Sequence, residues 1–351
     1  MQIKELLEIV AKENASDLHI VANSKPQIRV HGELIVLEQY DVLTEESSKE
    51  LCMSILTDKQ KEKFEGKYEL DFSIEFENLG RFRANYYYTV GTKLAAAFRI
   101  IPQVIPSLDE LKLPEVLKNL TKHKQGLILV TGPTGSGKST TLAAMLNEIN
   151  ITRKEHILTI EDPVEFLHTN KKSLYSHREV GANTDSFASG LKYALRQDPD
   201  VILVGELRDR ETISIALTAA ETGHLVLGTM HTNSAIATVN RILDNYDGNE
   251  QIQIRNMLSS TMVAMVGQTL IPRVGGGRVA VHDILINNTA VANLVRENKT
   301  HQLYSQMQLN QSKEGMLTQA TSILEAYRNG TISKDDALEY AFKPEEVKLK
   351  I

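Results

Sequence analysis

The sequence predicts an α/β protein in two parts, with a small mixed α/β domain over residues 1–100 and a larger domain over residues 115–351. Three observations lead to this prediction. Beyond residue 115, short apolar runs alternate with helical segments, which is typical of a parallel sheet covered by helices. A glycine-rich loop at residues 132–139 joins one of these apolar runs to a helical segment. A segment with three prolines, residues 101–114, separates the two parts.

The first 100 residues carry the patterns of both helices and strands. Apolar side chains recur at helical spacing in residues 3–13, and Thr44 is placed to begin a second helix. The strand patterns, which include a clear alternation of apolar and polar side chains, lie at residues 27–32, 68–76, 80–88 and 93–100. We therefore expect a small sheet with helices packed on it.

The segment at residues 101–114 is predicted to be an extended linker that acts as a hinge. Proline removes a backbone donor and fixes φ, so three prolines in fourteen positions disfavour a helix or a central strand. The larger domain then follows from residue 115. Its apolar runs at residues 127–131, 157–160, 201–204 and 225–229 predict parallel strands. A polar, helical tail is predicted from about residue 287.

Charge and cysteine content narrow the classes of function. The formal net charge is −6, which argues against a duplex nucleic acid as partner, because such a partner needs a basic surface. Cys52 is the only cysteine, so intramolecular disulfides and cysteine-rich zinc sites are excluded and a reducing cytoplasm fits. No apolar run approaches the roughly 18 residues of a membrane-spanning helix. We expect a cytoplasmic protein that does not insert into the membrane and reaches it only through partner proteins.

The glycine-rich loop has the spacing of a P-loop. Its glycines allow backbone conformations that let successive N–H groups converge on phosphate oxygens at a helix N-terminus. Lys138 supplies a charge for the β- and γ-phosphates, and the Ser139 hydroxyl is suited to Mg²⁺. An ordinary glycine turn is the alternative. The predicted nucleotide-binding residues are Gly132, Pro133, Thr134, Gly135, Ser136, Gly137, Lys138, Ser139 and Thr140.

Acidic residues follow two of the predicted strands directly. Glu161 ends the run at residues 157–160, where a carboxylate is well placed to hold an attacking water or Mg²⁺. Glu206 follows residues 201–204 and Gly205, so this strand resembles a Walker B strand in which glycine replaces the usual Asp. A charged turn or a solvated acid at the end of a core strand is the alternative for each.

Two histidines and three arginines complete the candidate site. His224 and His231 bracket the strand at residues 225–229, and His231 could sense the γ-phosphate by hydrogen bonding. A structural role is the alternative for each histidine. The arginines belong to the small domain; they either reach bound phosphate within or between subunits or lie on a solvated sheet face. They are Arg81 and Arg83, two apart on one strand, and Arg99 at the end of the next.

Taken together, these stretches resemble the secretion-ATPase superfamily of type II secretion and type IV pili. The resemblance covers nearly the whole chain and is carried by residues 15–19, 132–141, 157–165, 198–209 and 223–235, of which the last four resemble the Walker A motif, the Asp box, an atypical Walker B motif and the His box. It implies a small PAS-like α/β domain joined by a linker to a RecA-like P-loop ATPase domain.

Two features indicate the pilus-retraction branch of this superfamily. Assembly and type II secretion members commonly carry a four-cysteine zinc module, which one cysteine cannot build. Residues 290–297 (Ala-Val-Ala-Asn-Leu-Val-Arg-Glu) also resemble a helix that is specific to retraction members. Here Val291 and Val295 replace isoleucine, and Ala292 replaces an arginine, which puts in doubt the contact that this arginine makes.

The resemblance implies a role for each candidate residue. Ser139 and Glu206 face Mg²⁺, and Glu161 polarises the attacking water, although the two glutamates could exchange roles. His231 and His224 link phosphate state to structure, and the three arginines reach the nucleotide from the small domain. The resemblance further implies a homohexamer that hydrolyses ATP, acts on an inner-membrane pilus platform protein and drives pilus retraction (twitching motility). A pilus-assembly or type II secretion ATPase, a nucleotide-gated binding switch and a nucleic-acid-stimulated motor are the alternatives.

Overall fold

The computed structural model describes residues 1–30, 32–101 and 104–351, and for Ser312 and Lys313 it describes the backbone alone. The chain divides into two compact units, Met1–Val104 and Ile105–Ile351. His31, which lies in a predicted strand, and Pro102 and Gln103, which lie in the predicted linker, are outside the described residues.

The first unit is a six-stranded sheet with helices on one face. The strands are ordered β3-β2-β1-β6-β5-β4, and all neighbouring pairs are antiparallel. Its elements are α1 (Ile3–Lys12), β1 (Asp17–Ile20), β2 (Gln27–Val30), β3 (Glu33–Val36), α2 (Glu45–Met53), α3 (Asp58–Phe64), β4 (Glu69–Phe76), β5 (Gly80–Thr89) and β6 (Lys93–Ile100).

The core of this unit follows from the sequence patterns. The apolar stripe of α1 is buried, as its helical spacing predicts. Thr44 caps α2, because its side chain accepts a hydrogen bond from the N–H of Ser47 at 3.1 Å. Alternate residues of β5 point into the core, where Phe82 and Tyr86 are fully buried. The other face of β5 is therefore free to carry the polar residues between them.

The second unit is built on a seven-stranded sheet in the order β13-β12-β7-β11-β10-β8-β9. Its elements are α4 (Glu115–Leu120), β7 (Gly126–Thr131), α5 (Lys138–Thr152), β8 (His156–Glu161), β9 (Leu174–Glu179), α6 (Phe187–Ala194), β10 (Val201–Val204), α7 (Arg210–Glu221), β11 (Leu225–Met230), α8 (Ala235–Leu243), α9 (Gly248–Thr261), β12 (Met262–Pro272), β13 (Arg278–Ile286), α10 (Thr289–Arg296), a 3₁₀ turn (Thr300–Gln302), α11 (Leu303–Leu309), α12 (Gln311–Glu314), α13 (Gln319–Arg328), α14 (Lys334–Glu339) and α15 (Pro344–Lys348).

The sheet of the second unit is parallel from β12 to β9, and β13 pairs antiparallel with β12. The four strands predicted from apolar runs correspond to β7, β8, β10 and β11. Every residue of β7, β10 and β11 is buried, because helices cover both faces of the sheet. This parallel arrangement brings the carboxyl ends of all these strands to one edge.

The segment predicted as an extended linker is a closed turn from Ser107 to Leu113. The Ser107 hydroxyl accepts from the N–H of Glu110, and the Glu110 carboxylate accepts from the N–H of Ser107 at 2.7 Å. Leu108 is buried in the core of the second unit. The prediction of an extended chain is therefore wrong for this stretch, because reciprocal capping and burial of Leu108 outweigh the effect of the flanking prolines. The hinge role remains a prediction.

Candidate nucleotide-binding site

The candidate residues of the second unit meet at the carboxyl edge of the sheet. The glycine-rich loop follows β7, His231 follows β11, Glu206 lies just beyond β10, and Glu161 ends β8. These four strands are neighbours in the order β7-β11-β10-β8 and run parallel, so their carboxyl ends adjoin. Ligands of open α/β sheets bind at this edge.

The glycine-rich loop needs glycine at two positions for different reasons. At Gly132, φ is +147°, and a Cβ would lie 2.2 Å from the backbone oxygen of Gln268 and 2.7 Å from Oγ of Ser136. At Gly135, φ is +79° in open space, so only the backbone conformation excludes other residues. The loop therefore packs closely on β12 at its start and turns sharply at its exposed tip.

The interior of the loop holds hydrogen-bonding groups suited to an anion. The Oγ atom of Ser136 is buried and has no hydrogen-bond partner in the described structure. The Lys138 ammonium donates to the backbone oxygens of Gly132 at 2.9 Å and Pro133 at 3.0 Å. Burial lowers the pKa of Lys138, while the carboxylates of Glu206 and Glu165 raise it. Lys138 also begins α5, so the loop delivers any bound phosphate to a helix N-terminus.

The Glu206 carboxylate is held in its ionised form. Its Oε1 lies 2.5 Å from Nε of Arg208 and 3.3 Å from Nε2 of His231. Burial by itself raises the pKa of Glu206, but these two neighbours outweigh burial and leave the pKa below its ordinary value. A hydroxyl such as that of Ser139 and an ionised carboxylate are oxygen donors of the kind that Mg²⁺ takes. The donor chemistry therefore fits this cation.

The pKa of the Glu161 carboxyl is shifted in the opposite direction. It is buried at the end of β8, and its Oε2 accepts from the N–H of Glu165 at 3.2 Å. Burial raises its pKa to about 7, and the hydrogen bonds from Glu165 and Thr159 only partly offset this. A carboxyl with this pKa exchanges protons near neutral pH, which is the property a general base needs. The two glutamates are thus distinguished by their surroundings.

The two predicted histidines lie at opposite ends of β11. His231 follows the strand and contacts Glu206. His224 precedes the strand; its Nδ1 lies 2.9 Å from the oxygen of Ala219, and its backbone oxygen accepts from Gly126 at the start of β7. The structure brings His231 to the candidate site and places His224 at the amino edge of the sheet. Within one chain, His224 does not contact the glycine-rich loop.

The three candidate arginines share the face of the small sheet that the helices leave uncovered. Arg83 lies opposite Arg99 in the β5–β6 pair. Arg99 is 70% exposed and donates to the buried Asp17 at 2.8 Å, and Arg81 donates to Ser73 at 2.6 Å. The prediction that Arg81 and Arg83 share a face is confirmed by their alternation with buried residues in β5. Their role toward a nucleotide remains a prediction.

The structure also reveals two contacts that the sequence analysis did not foresee. Arg208 forms an ion pair with Glu206, which lies two residues earlier in the sequence. Gln268 of β12 hydrogen-bonds the glycine-rich loop and α5. The apolar run at residues 262–266 could have indicated the strand that carries Gln268.

A cavity of about 1110 Å³ opens beside the first turn of α5 in the second unit. Its lining includes Gly137 and Thr140 together with Leu270, Arg273 and Arg278. Within the described residues, no group of three or more His, Cys, Asp or Glu side chains is arranged to hold a metal ion, and no helix has the length and apolarity required to cross a membrane.

Comparison with known proteins identifies the family of this chain. The profile of the family described as "Type II/IV secretion system protein" matches residues 1–276. The chain belongs to this family. The resemblance inferred from the motifs is thereby confirmed, and the match covers the first structural unit and the second as far as residue 276.

Two relatives and one solved structure are similar over most of the chain. The chain is 47% identical to the "Type IV pilus retractation ATPase PilT" of Pseudomonas aeruginosa over 98% of its length and 99% of the relative's. It is 49% identical to the "Twitching motility protein" of Neisseria gonorrhoeae over 90% of its length and 84% of the relative's. The crystal structure of "the Pilus Retraction Motor PilT and Bound ADP" matches with a TM-score of 0.94 at 45% identity, covering 99% of both chains. This match confirms the predicted fold class.

Proposed function

We propose that this chain is an ATPase that drives the retraction of type IV pili. The chemistry is supported above all by one observation: the glycine-rich loop, Glu206, His231 and Glu161 lie at the ends of four neighbouring parallel strands. The retraction role is supported by relatives that are 47% and 49% identical and bear names for pilus retraction and twitching motility.

The glycine-rich loop, Glu161 and Glu206 have separate chemical roles in this proposal. Lys138 and the N–H groups of residues 132–140 bind the phosphates of ATP. Glu161 accepts a proton from a water molecule as the water oxygen bonds to the γ-phosphorus, and the bond to the β-phosphate oxygen breaks, which leaves ADP and phosphate. Its pKa of about 7 supports this assignment. Mg²⁺, when bound, neutralises charge on the phosphates, and we assign Ser139 and Glu206 to it, Glu206 through water.

His231 and the small unit couple the phosphates to movement in this proposal. His231 bonds Glu206, so a change of charge at the γ-phosphate position alters the partners of the imidazole. Arg81, Arg83 and Arg99 reach nucleotide from the small unit of the same or a neighbouring chain, and His224 acts in the same coupling. The base and ribose of ATP occupy the cavity beside α5, which adjoins Gly137 and Thr140.

The assembly in which this motor acts is part of the proposal. We infer a homohexamer in the cytoplasm that associates with the inner membrane through a pilus platform protein. It needs neither nucleic acid nor insertion of its own chain into the membrane. ATP binding and release then move the two units relative to one another, and this motion withdraws pilin subunits.

A deletion strain scored for surface pili and surface motility tests the proposal. We expect the strain to accumulate pili and to lose twitching motility, and the wild-type gene to restore both. A matched strain with Lys138→Ala on the chromosome should behave as the deletion. A deletion strain without surface pili would instead indicate pilus assembly, and one with normal pili and motility would contradict the proposal.

A further inference from the structure

Gln268 connects three parts of the candidate site through one buried side chain. It lies on β12, which runs parallel to β7, and Gly267 is paired with Thr131 just before the glycine-rich loop. The side-chain Oε1 accepts from the Thr141 hydroxyl on α5 at 2.8 Å. The side-chain Nε2 donates to the backbone oxygen of Ser136 at 2.7 Å. Gln268 is only 3% exposed, so both ends of the amide are used inside the protein.

The bond to Ser136 fixes the direction of a backbone N–H in the loop. The oxygen of Ser136 and the N–H of Gly137 belong to one planar peptide unit, and in a trans peptide these two groups point in opposite directions. Among the described residues, the one cis bond is Asp162–Pro163, so the Ser136–Gly137 bond is trans. Because Gln268 holds the oxygen toward β12, the N–H of Gly137 must point away from β12. That side of the loop is where converging N–H groups can meet an anion.

The glycine-rich loop also packs directly against β12 at two of its glycines. A Cβ on Gly132 would meet the backbone oxygen of Gln268 at 2.2 Å, and a Cβ on Gly137 would meet Nε2 of Gln268 at 3.0 Å. Gln268 of β12 therefore lies against both the first and the last glycine of the loop. The Thr141 hydroxyl orients the amide, because it donates to Oε1 and leaves Nε2 to face Ser136.

We propose that Gln268 is a positioning residue that sets the phosphate-binding conformation of the glycine-rich loop. It contacts no phosphate and acts through the Ser136–Gly137 peptide. The inference rests on the proposed function, since it assumes that the loop binds nucleotide. Loss of the Gln268 side-chain amide would free this peptide to rotate and would weaken a hydrogen bond to a charged phosphate.

Gln319 is a matched control for Gln268, because it is a buried glutamine whose side-chain amide does not contact the glycine-rich loop. It is 4% exposed, its Nε2 donates to the oxygen of Tyr340 at 2.9 Å, and its Oε1 accepts from the N–H of Phe342 at 2.7 Å. It therefore has the same side chain, burial and double hydrogen bonding as Gln268. It holds the helical tail and not the glycine-rich loop.

The test measures ADP affinity, the KM and kcat of ATP hydrolysis and thermal unfolding in the full chain. The variants are Gln268→Met and Gln319→Met, which keep length and flexibility and lose the amide, and Gln268→Glu, which keeps the acceptor for Thr141 and loses the donor to Ser136. We expect Gln268→Met and Gln268→Glu to weaken ADP binding and raise KM by about tenfold or more, because a hydrogen bond to a charged group is affected. Since ground-state binding is what is lost, kcat should fall much less.

The control separates positioning from general stability. We expect Gln319→Met to lower the unfolding temperature as much as Gln268→Met while changing ADP affinity and KM less than about twofold. Wild-type ADP affinity and KM in both folded Gln268 variants would overturn the inference and leave the proposed function standing. If Gln268→Met does not fold, Gln268→Glu decides the same question. A wild-type chain that neither binds ADP nor hydrolyses ATP would overturn the proposed function and, with it, this inference.

Discussion

The Nε2 atom of His231 lies 3.3 Å from Oε1 of Glu206, between the ends of two neighbouring parallel strands. Arg208 contacts the same carboxylate oxygen. One oxygen of Glu206 therefore contacts both the guanidinium of Arg208 and the imidazole of His231. A ligand that competes for this carboxylate must alter both contacts, which makes His231 the side chain best placed to report what occupies the site.

Removal of the His231 imidazole should slow hydrolysis more than it weakens binding. We expect His231→Ala to lower kcat for ATP by at least about tenfold, because the proposed function places this polar group beside the reacting phosphate. ADP affinity should change little, since the loop and Lys138 remain. Steady-state kinetics and an ADP titration of the same preparation check this. Unchanged kcat would show that the contact with Glu206 is structural only.

His224 offers a contrasting case at the amino edge of the sheet. Its ring contacts Ala219, and its backbone joins the start of β7. We expect His224→Ala to leave ADP affinity within about twofold of the wild type, because nothing links this ring to the loop within one chain. Because we assign His224 to the coupling of nucleotide state to movement, its effect should appear instead in twitching motility, scored in a strain with His224→Ala on the chromosome. A loss of ADP affinity comparable to that of Lys138→Ala would contradict this placement.

Substitution should be tolerated less well at Gly132 than at a glycine whose only special feature is a left-handed backbone conformation, because a Cβ at Gly132 would also clash. In Gly132→Ala the new Cβ meets backbone oxygen at 2.2 Å, so the loop must leave β12. We expect ADP affinity to fall by at least about tenfold. Gly330→Ala is the control, since φ there is +66° with no atom within 4 Å of the new Cβ; it should cost about 1 kcal/mol of stability and no affinity. Equal affinities in the two variants would refute the role given to the close packing.

The raised pKa of Glu161 predicts a pH-dependent loss of stability. The folded carboxyl holds its proton up to about pH 7, whereas an ordinary glutamate loses it near pH 4.5. The folded state therefore binds more protons in this window, and the free energy of unfolding falls as pH rises from about 4.5 to 7. Glu161→Gln removes this contribution, so the variant should gain roughly 3 kcal/mol relative to the wild type between these pH values.

Comparison of the two proteins by urea unfolding isolates this effect. Burial also raises the pKa of Asp283 to about 6 and lowers the pKa of His282 to about 4, and these groups titrate equally in both proteins. Glu221→Gln, which changes an exposed carboxyl, should show no such gain. A constant difference between Glu161→Gln and the wild type across the window would mean that Glu161 is ionised throughout.

The parts of the fold predicted well are those with a local signal. The strand, glycine-rich loop and helix from Gly126 to Thr152 form one continuous pattern, and the strands that end near Glu161 and Glu206 are marked by short apolar runs. The carboxylates follow these strands directly. The alternation of strands with helices had indicated a parallel sheet. In such a sheet the carboxylates that follow the strands lie together at one edge.

The parts that were missed depend on pairing between distant segments or on a local signal that was overlooked. β12 and β13 were not predicted as strands, and Gln268 meets Ser136 and Thr141 only because β12 pairs with β7. The capped turn at Ser107 had a visible signal, since Glu110 follows at the spacing of a capping box. The position of His224 could also have been deduced from the sequence. His224 precedes β11 whereas the glycine-rich loop follows β7, so the two must lie at opposite edges of a parallel sheet.

Steady-state ATP hydrolysis by the purified chain with Mg²⁺, measured beside the Lys138→Ala and Glu206→Ala variants, tests the central claim most directly. The account predicts turnover by the wild type and rates near background for both variants, with unfolding temperatures close to that of the wild type. Turnover at the wild-type rate in either variant would contradict it.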